Sequence, residues 1–350
     1  MSIQRLRRSQ RQLCTSVQAS GAGVHSGAGR GTVHRMGQGL EQTLAVLNGL
    51  VGDYLSRTRN GLATDMAFYH AGRALPLTRE ALSAAFPAAS PRVVVLLHGL
   101  MCTESSWKMA DGTDYGARLE RDLGFQALYV RYNTGLPIAD NGAQLSALLQ
   151  ALLEQYPVQV DELLLLGYSM GGLVLRSACH VASLAATPWL AHVRRSVYVG
   201  TPHLGAPAER AGKLVSGVLQ WIRDPYTKLI ADIADLRSAG LQDLGHADLR
   251  HEDRALLRSP FSLRDARHPV PLLPQIAHYL IAGTLFDEAL LGHAFGDALV
   301  PVSSATHRAE PIPPEHVHVL PGLGHLTLAH HPDVYAVLLK ICQEVPCPKP

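Results

Sequence analysis

No run of about 18 apolar residues occurs in this 350-residue chain, which argues against a membrane-spanning helix. Charged residues are also scarce, at 17% against 47% hydrophobic. That balance leaves ample material for a core and argues against global disorder. Only five cysteines are present, Cys14, Cys102, Cys179, Cys342 and Cys347, at irregular spacing. Such spacing fits neither a disulfide framework nor a zinc site and points to a reducing, cytoplasmic setting, with Cys342 and Cys347 read as unrelated thiols. The first forty residues lack any acid, yet carry Arg5, Arg7, Arg8, Arg11, Arg30 and Arg35. Those six, taken from the 31 basic residues, leave 25 against 29 acids. The body is therefore mildly acidic and offers no nucleic-acid surface. The arm also lacks the apolar stretch of a secretory signal, although arginine and serine without acids are compatible with an organellar transit peptide. Its Gly/Ser/Arg composition reads as a solvated, disordered tail over residues 1–35.

The chain is long enough for one large domain with insertions or for two ordinary ones. Leu40, Leu44, Leu47, Leu50, Val51 and Leu55 recur at helical spacing and predict an amphipathic helix over 36–57. A short strand near 66–70 and a helix near 78–86 complete an N-terminal extension, residues 36–90, that ends at Pro87 and Pro91. Beyond it, short apolar runs alternate with helical patterns. Strands are expected at 93–97, 127–131, 163–166, 197–199, 279–282 and 316–320, with helices at 145–156, 170–185 and 334–344. This alternation predicts an α/β fold: a mostly parallel sheet with helices on both faces and the ligand site at the carboxyl ends of the strands. Residues 206–273 break the pattern and read as a helical insertion within a catalytic domain spanning 91–350.

The sharpest chemical signal is Gly167-Tyr168-Ser169-Met170-Gly171-Gly172, between a buried strand and a helix. A strand that turns abruptly into a helix strains its nucleophile, and glycines on either side remove the side chains that would collide. Ser169 is therefore the candidate nucleophile. A serine needs a base, and the base a carboxylate to hold its tautomer. His325 follows the last strand and precedes the last helix; His330 and His331 compete in sequence, but His331-Pro332 reads as a helix cap. Asp297, in the glycine-led loop Gly296-Asp297-Ala298-Leu299-Val300-Pro301, is the candidate acid, with Asp287 as its rival. The developing oxyanion needs donors, and the backbone N–H groups of Leu100 and Met170 are placed to supply them. His98 reads as a core histidine bonded to the loop backbone. His316 with His318, and His246, His251, Glu252 and Asp253, form no ligand set spaced for zinc, so no metal and no cofactor are expected. Cys102, close to the oxyanion loop, reads as a small buried hydrophobe.

With these residues in hand, the chain resembles α/β-hydrolases of the lipase/esterase group, close in character to bacterial esterases and the GPI inositol-deacylase-like branch. The resemblance rests on His98-Gly99-Leu100, the serine motif, Gly200-Thr201-Pro202-His203-Leu204-Gly205, the Asp297 loop, and Gly324-His325 before His331-Pro332-Asp333, and covers roughly residues 92 to 345. It implies an α/β-hydrolase fold with a helical cap and hydrolysis of carboxylic esters through an acyl-enzyme. Relatives that process haloalkanes or epoxides place aspartate where Ser169 stands. Val215, Leu219, Trp221 and Ile222 in the insertion are expected to form an apolar acyl pocket, hence a lipid-like or aliphatic ester substrate and transient contact with a lipid surface. Transfer of the acyl group to an alcohol, or thioester cleavage, uses the same residues, and a non-catalytic scaffold is the remaining alternative. Oligomeric state is not legible.

Overall fold

The computed structural model describes residues 30–205, 238–254, 268, 270–285, 297, 300–306 and 312–344, with side chains from residue 39 onward except that of Arg254. The cap positions Val215, Leu219, Trp221 and Ile222, the rival acid Asp287, and Cys14 and Cys347 lie outside the described residues. The chain divides into two compact units, Met1–Glu41 and Gln42–Pro350. In the first, the described part is the opening of helix α1 (Arg30–Arg57). The rest of α1 belongs to the second unit, where Val46 and Leu50 enter the core.

Strand β1 (Ala67–His70) turns back on β2 (Arg73–Ala74) through Ala71 and Gly72, both at positive φ. Helix α2 (Arg79–Ala85) follows, capped by the Thr78 hydroxyl, which accepts the Ala81 N–H. Strand β3 (Arg92–Leu97), helix α3 (Tyr115–Leu123), strand β4 (Gln126–Arg131), helix α4 (Ile138–Gln155), strand β5 (Glu162–Tyr168), helix α5 (Met170–Ala185) and strand β6 (Val193–Val199) then alternate. Helix α6 (Ala239–His246) lies within the inserted stretch, and strand β7 (Ala277–Thr284), strand β8 (Val317–Pro321) and helix α7 (Pro332–Gln343) follow it. Among the described residues the strands form one eight-stranded sheet, ordered β2-β1-β4-β3-β5-β6-β7-β8. From β4 to β8 every pair is parallel; β1 runs antiparallel to both its neighbours.

The continuous apolar runs read from the sequence are strands covered on both faces. Val93, Val95 and Leu97 join Leu163 and Leu165 in one core layer, while Val94, Leu96, Leu164 and Leu166 join the other. This alternation is the two-residue period of a strand buried twice. Helices α4 and α5 pack closely because Gly142 has no side chain where Ser177 lies.

Several expectations need correction. Helix α3 is absent from the sequence reading, because its apolar stripe is reduced to Tyr115 and Leu119 among charged residues. Its end signals are plain in the structure: Asp114 caps the start, and Gly124 at φ 70 ends it. The strand expected from His316 begins at Val317, because Pro313 and Pro314 hold Pro314–His316 in a turn of 3-10 helix. His316 thus lies outside the strand that carries His318, and its ring packs on Tyr279 at 4.1 Å. Among the described residues no helix is long and apolar enough to cross a membrane, and no group of three or more His, Cys, Asp or Glu side chains could hold a metal ion.

Candidate active site

The parallel strands end together, and their ends carry the site. Strand β5 stops at Tyr168 and α5 begins at Met170, leaving Ser169 alone at the bend with φ 52 and ψ −121. A non-glycine residue at such angles costs on the order of 1–3 kcal/mol and persists only where its surroundings enforce it. Here the Ser169 N–H donates to the Val199 carbonyl at 2.8 Å, and the Ser169 carbonyl accepts from Gly172 N–H at 3.1 Å. Glycine is required around it: a Cβ at Gly167 would lie 2.6 Å from the Gly172 Cα, and one at Gly171 would lie 2.6 Å from the carbonyl oxygens of both Leu97 and His98. Since those atoms are backbone, Gly171→Ala forces β3 and the loop after it to move. The expected loss is about 1–3 kcal/mol of stability, read by urea denaturation. An unchanged midpoint would contradict the close approach.

His325 opens a turn of 3-10 helix after β8, and its Nε2 lies 2.9 Å from Ser169 Oγ. Its Nδ1 lies 2.7 Å from Asp297 Oδ2. The other carboxylate oxygen accepts the Val300 N–H at 2.7 Å, and the Asp297 carbonyl accepts the His325 N–H at 3.0 Å. Ser169, Asp297 and His325 are buried to 2%, 1% and 2% exposure. A buried carboxylate held by a ring nitrogen and a backbone N–H is satisfied rather than stranded. The structure thus brings together the three side chains singled out from sequence positions 169, 297 and 325. His331 does not join them: its Nδ1 accepts the Asp333 N–H at 3.2 Å, capping α7 with Pro332 in the first turn.

Of the two backbone donors expected from sequence, Met170 directly follows Ser169, and Leu100 follows Gly99. Neither Leu100 N–H nor Met170 N–H has a hydrogen-bond partner among the described residues. The Gly99 carbonyl, in the same peptide as Leu100 N–H, accepts from the His98 ring at 2.9 Å and from Cys102 N–H at 3.3 Å. In a trans peptide the N–H points opposite to the carbonyl, so Leu100 N–H faces away from those partners. Gly99 itself lies against the serine, since a Cβ there would be 3.1 Å from Ser169 Cβ. Met170 opens α5, and the positive end of the helix dipole adds to its N–H.

His98 is fully buried, stacked on Tyr132 at 4.6 Å, with its Nδ1 bonded to the Gly99 carbonyl. Burial pushes its pKa down from 6.5 to about 4, opposed by that bond. The unfolded chain therefore binds a proton in the interval where the folded one does not. Stability is full above pH 6.5 and is lost as the pH falls toward about 4. At about 1.4 kcal/mol per pH unit the loss is about 3 kcal/mol. Urea midpoints measured across that window should drop less in His98→Asn than in the parent chain; equal drops would assign the acid lability elsewhere. Cys102, also buried, has its thiol pushed up to about 12 by burial and stays protonated.

Sequence reasoning missed the residues that hold the histidine loop. Tyr168 OH donates to the His325 carbonyl at 3.0 Å, and Tyr115 OH reaches the carbonyls of Leu328 and His331 at 2.9 and 2.8 Å. Trp107 packs between the two tyrosine rings. Tyr168 could have been suspected from its place before the serine, but nothing local marks Tyr115 or Trp107. The Thr201-Pro202-His203 loop also gains a physical role. Gly200, at φ 59, donates to the Ile281 carbonyl, His203 N–H donates to the Ser304 carbonyl, and Ser304 Oγ accepts Leu204 N–H and donates to the Gly205 carbonyl. The loop after β6 is thereby tied to the short helix Val302–Ala305 that follows the Asp297 loop.

The sheet, the bend and the strand-end site describe a hydrolase scaffold. The model of the alpha/beta hydrolase family matches residues 94–338, and the chain belongs to that family. Among solved structures, it is similar to a Bacillus licheniformis lipase in mature form, at 20% identity over 73% of this chain and 92% of that one, with a TM-score of 0.47. It is also similar to esterase B from Lactobacillus rhamnosis, at 14% identity over 87% and 94%, TM-score 0.40. A type II thioesterase from a yersiniabactin NRPS/PKS pathway aligns at 12% identity over 73% and 93%, TM-score 0.43. No curated protein matches the chain.

Proposed function

We propose that this alpha/beta hydrolase cleaves carboxylic esters through an acyl-enzyme on Ser169. The observation that carries the reading is the buried relay in which Asp297 Oδ2 lies 2.7 Å from one nitrogen of His325 and Ser169 Oγ 2.9 Å from the other. In this reading His325 Nε2 takes the hydroxyl proton as Ser169 Oγ attacks the ester carbonyl. The oxygen that becomes negative is met by the N–H groups of Leu100 and Met170. The tetrahedral adduct collapses, His325 gives its proton to the departing alcohol, and the acyl group stays on Ser169. Water then repeats the sequence with His325 as base, releasing the acid. Asp297 keeps Nδ1 protonated throughout and balances the imidazolium.

The substrate class follows from sequence. Val215, Leu219, Trp221 and Ile222 are apolar side chains in the insertion between β6 and β7, and in this reading they form a cap whose acyl pocket favours a lipid-like or aliphatic ester. A series of p-nitrophenyl esters from short to long acyl chains tests both statements. kcat/KM should rise with acyl length before levelling off. Hydrolysis with no preference for any apolar acyl group would remove the pocket, and no hydrolysis of any member would remove the ester reading. Adding methanol to the same assay separates hydrolysis from acyl transfer by the yield of methyl ester.

A further inference from the structure

Helix α1 lies before the span 94–338 that the family model matches, yet its face from Gln42 onward meets the loop that carries Leu100. Met101, next to Leu100, is fully buried at φ 58, a left-handed backbone that a side-chain-bearing residue adopts at a cost. Three contacts hold it there. Its N–H donates to Thr134 Oγ1 at 3.1 Å, fixing the Leu100–Met101 peptide from the side of β4. Its carbonyl accepts from Gln42 Nε2 at 3.0 Å, fixing the next peptide from α1. Its side chain lies against Gly49, where a Cβ would overlap Met101 Cγ and crowd Thr134 Oγ1 at 3.2 Å.

The same helix is itself anchored. Asn133 Nδ2 donates to the Gly52 carbonyl at 3.0 Å, and Gly52 has no room for a Cβ against the Asn133 amide. Ser238 Oγ donates to the Gly49 carbonyl at 2.6 Å, and Ala239 N–H donates to Asp53 Oδ2 at 3.2 Å. Gly49 thus makes room for Met101 with its bare Cα while its carbonyl holds the start of α6. A peptide N–H stabilises a developing charge only if it is already aimed, and a misplacement of about 1 Å costs as much as 100-fold in rate.

We infer that Gln42 and Gly49 are positioning residues for ester cleavage: α1 holds Met101 in its left-handed conformation and so fixes the Leu100 N–H. The inference rests on the proposed role of Leu100. The role belongs to the buried face of α1 that carries Gln42 and Gly49, and the helix touches no reacting atom.

The test uses the full chain and the best p-nitrophenyl ester. Gly49→Ala should lower kcat about 10- to 100-fold, and Gln42→Ala about 3- to 10-fold, with KM changed less than about threefold in both. In the pair Gly49→Ala/Met101→Ala the clash is relieved, and kcat should recover part of the loss. Tyr54→Ala, on the exposed face of the same helix, should leave kcat unchanged. Should Gly49→Ala fail to fold, Gln42→Ala decides alone, because it creates no overlap. A helix that only stabilises the fold would lower the melting temperature and leave kcat untouched, and that outcome overturns the positioning role. The functional reading is checked separately by a fluorophosphonate adduct on Ser169 of the parent chain. An intact adduct with unchanged kcat in the α1 variants overturns only the role of the helix, whereas no adduct overturns the reading beneath it.

Discussion

Ser169→Ala should lower ester turnover by about 10^6-fold, since a relay that acts as a unit loses nearly everything when its nucleophile is removed. The fold should survive, because Ser169 Oγ touches His325 and the backbone bonds at the bend do not involve it. Ser169→Gly should be equally inactive but more stable than the parent by about 1 kcal/mol, because glycine occupies φ 52 without strain. Kinetics and urea denaturation on the two variants together separate lost chemistry from lost structure. Residual turnover within about tenfold of the parent would mean that another group attacks the ester.

The second large effect is expected in Asp297→Asn, and its sign follows from the hydrogen bonds around the carboxylate. The Val300 N–H donates to Oδ1, so the carbonyl oxygen of an asparagine must occupy that position. Its NH2 then faces His325 Nδ1, where Oδ2 now stands at 2.7 Å. Nδ1 becomes an acceptor and the proton moves to Nε2, so the ring presents a donor to Ser169 and cannot take its proton. A loss in kcat of about 10^4-fold is expected, with little change in KM. Asp287→Asn should retain parental kcat. If the two outcomes were exchanged, the acid would be Asp287.

How much of this was legible in the sequence depended on how local the determining physics is. The bend at Ser169 was readable because its requirements, a buried strand, flanking glycines and an immediate helix, occupy adjacent positions, and α5 begins and ends where its pattern placed it. His331-Pro332 was separable from His325 for the same reason: a cap and a first-turn proline sit side by side. Helix α3 escaped because only Tyr115 and Leu119 mark its buried face while Arg118, Glu120, Arg121 and Asp122 dominate the string. The return of β1 onto β2 escaped because its turn, Ala71-Gly72, lacks the usual Asn-Gly signal. Contacts between distant segments left no mark at all. Tyr115 reaches Leu328 across more than two hundred residues, and Gly49 reads as an ordinary glycine in a helix until Met101 is seen against it.

The most direct test is to react the parent chain with a fluorophosphonate and map the adduct by peptide mass spectrometry. The proposed chemistry predicts a single phosphonylated residue, Ser169, with labelling abolished in Ser169→Ala and slowed sharply in His325→Ala. An adduct on any other serine, or labelling that persists in Ser169→Ala, would contradict it.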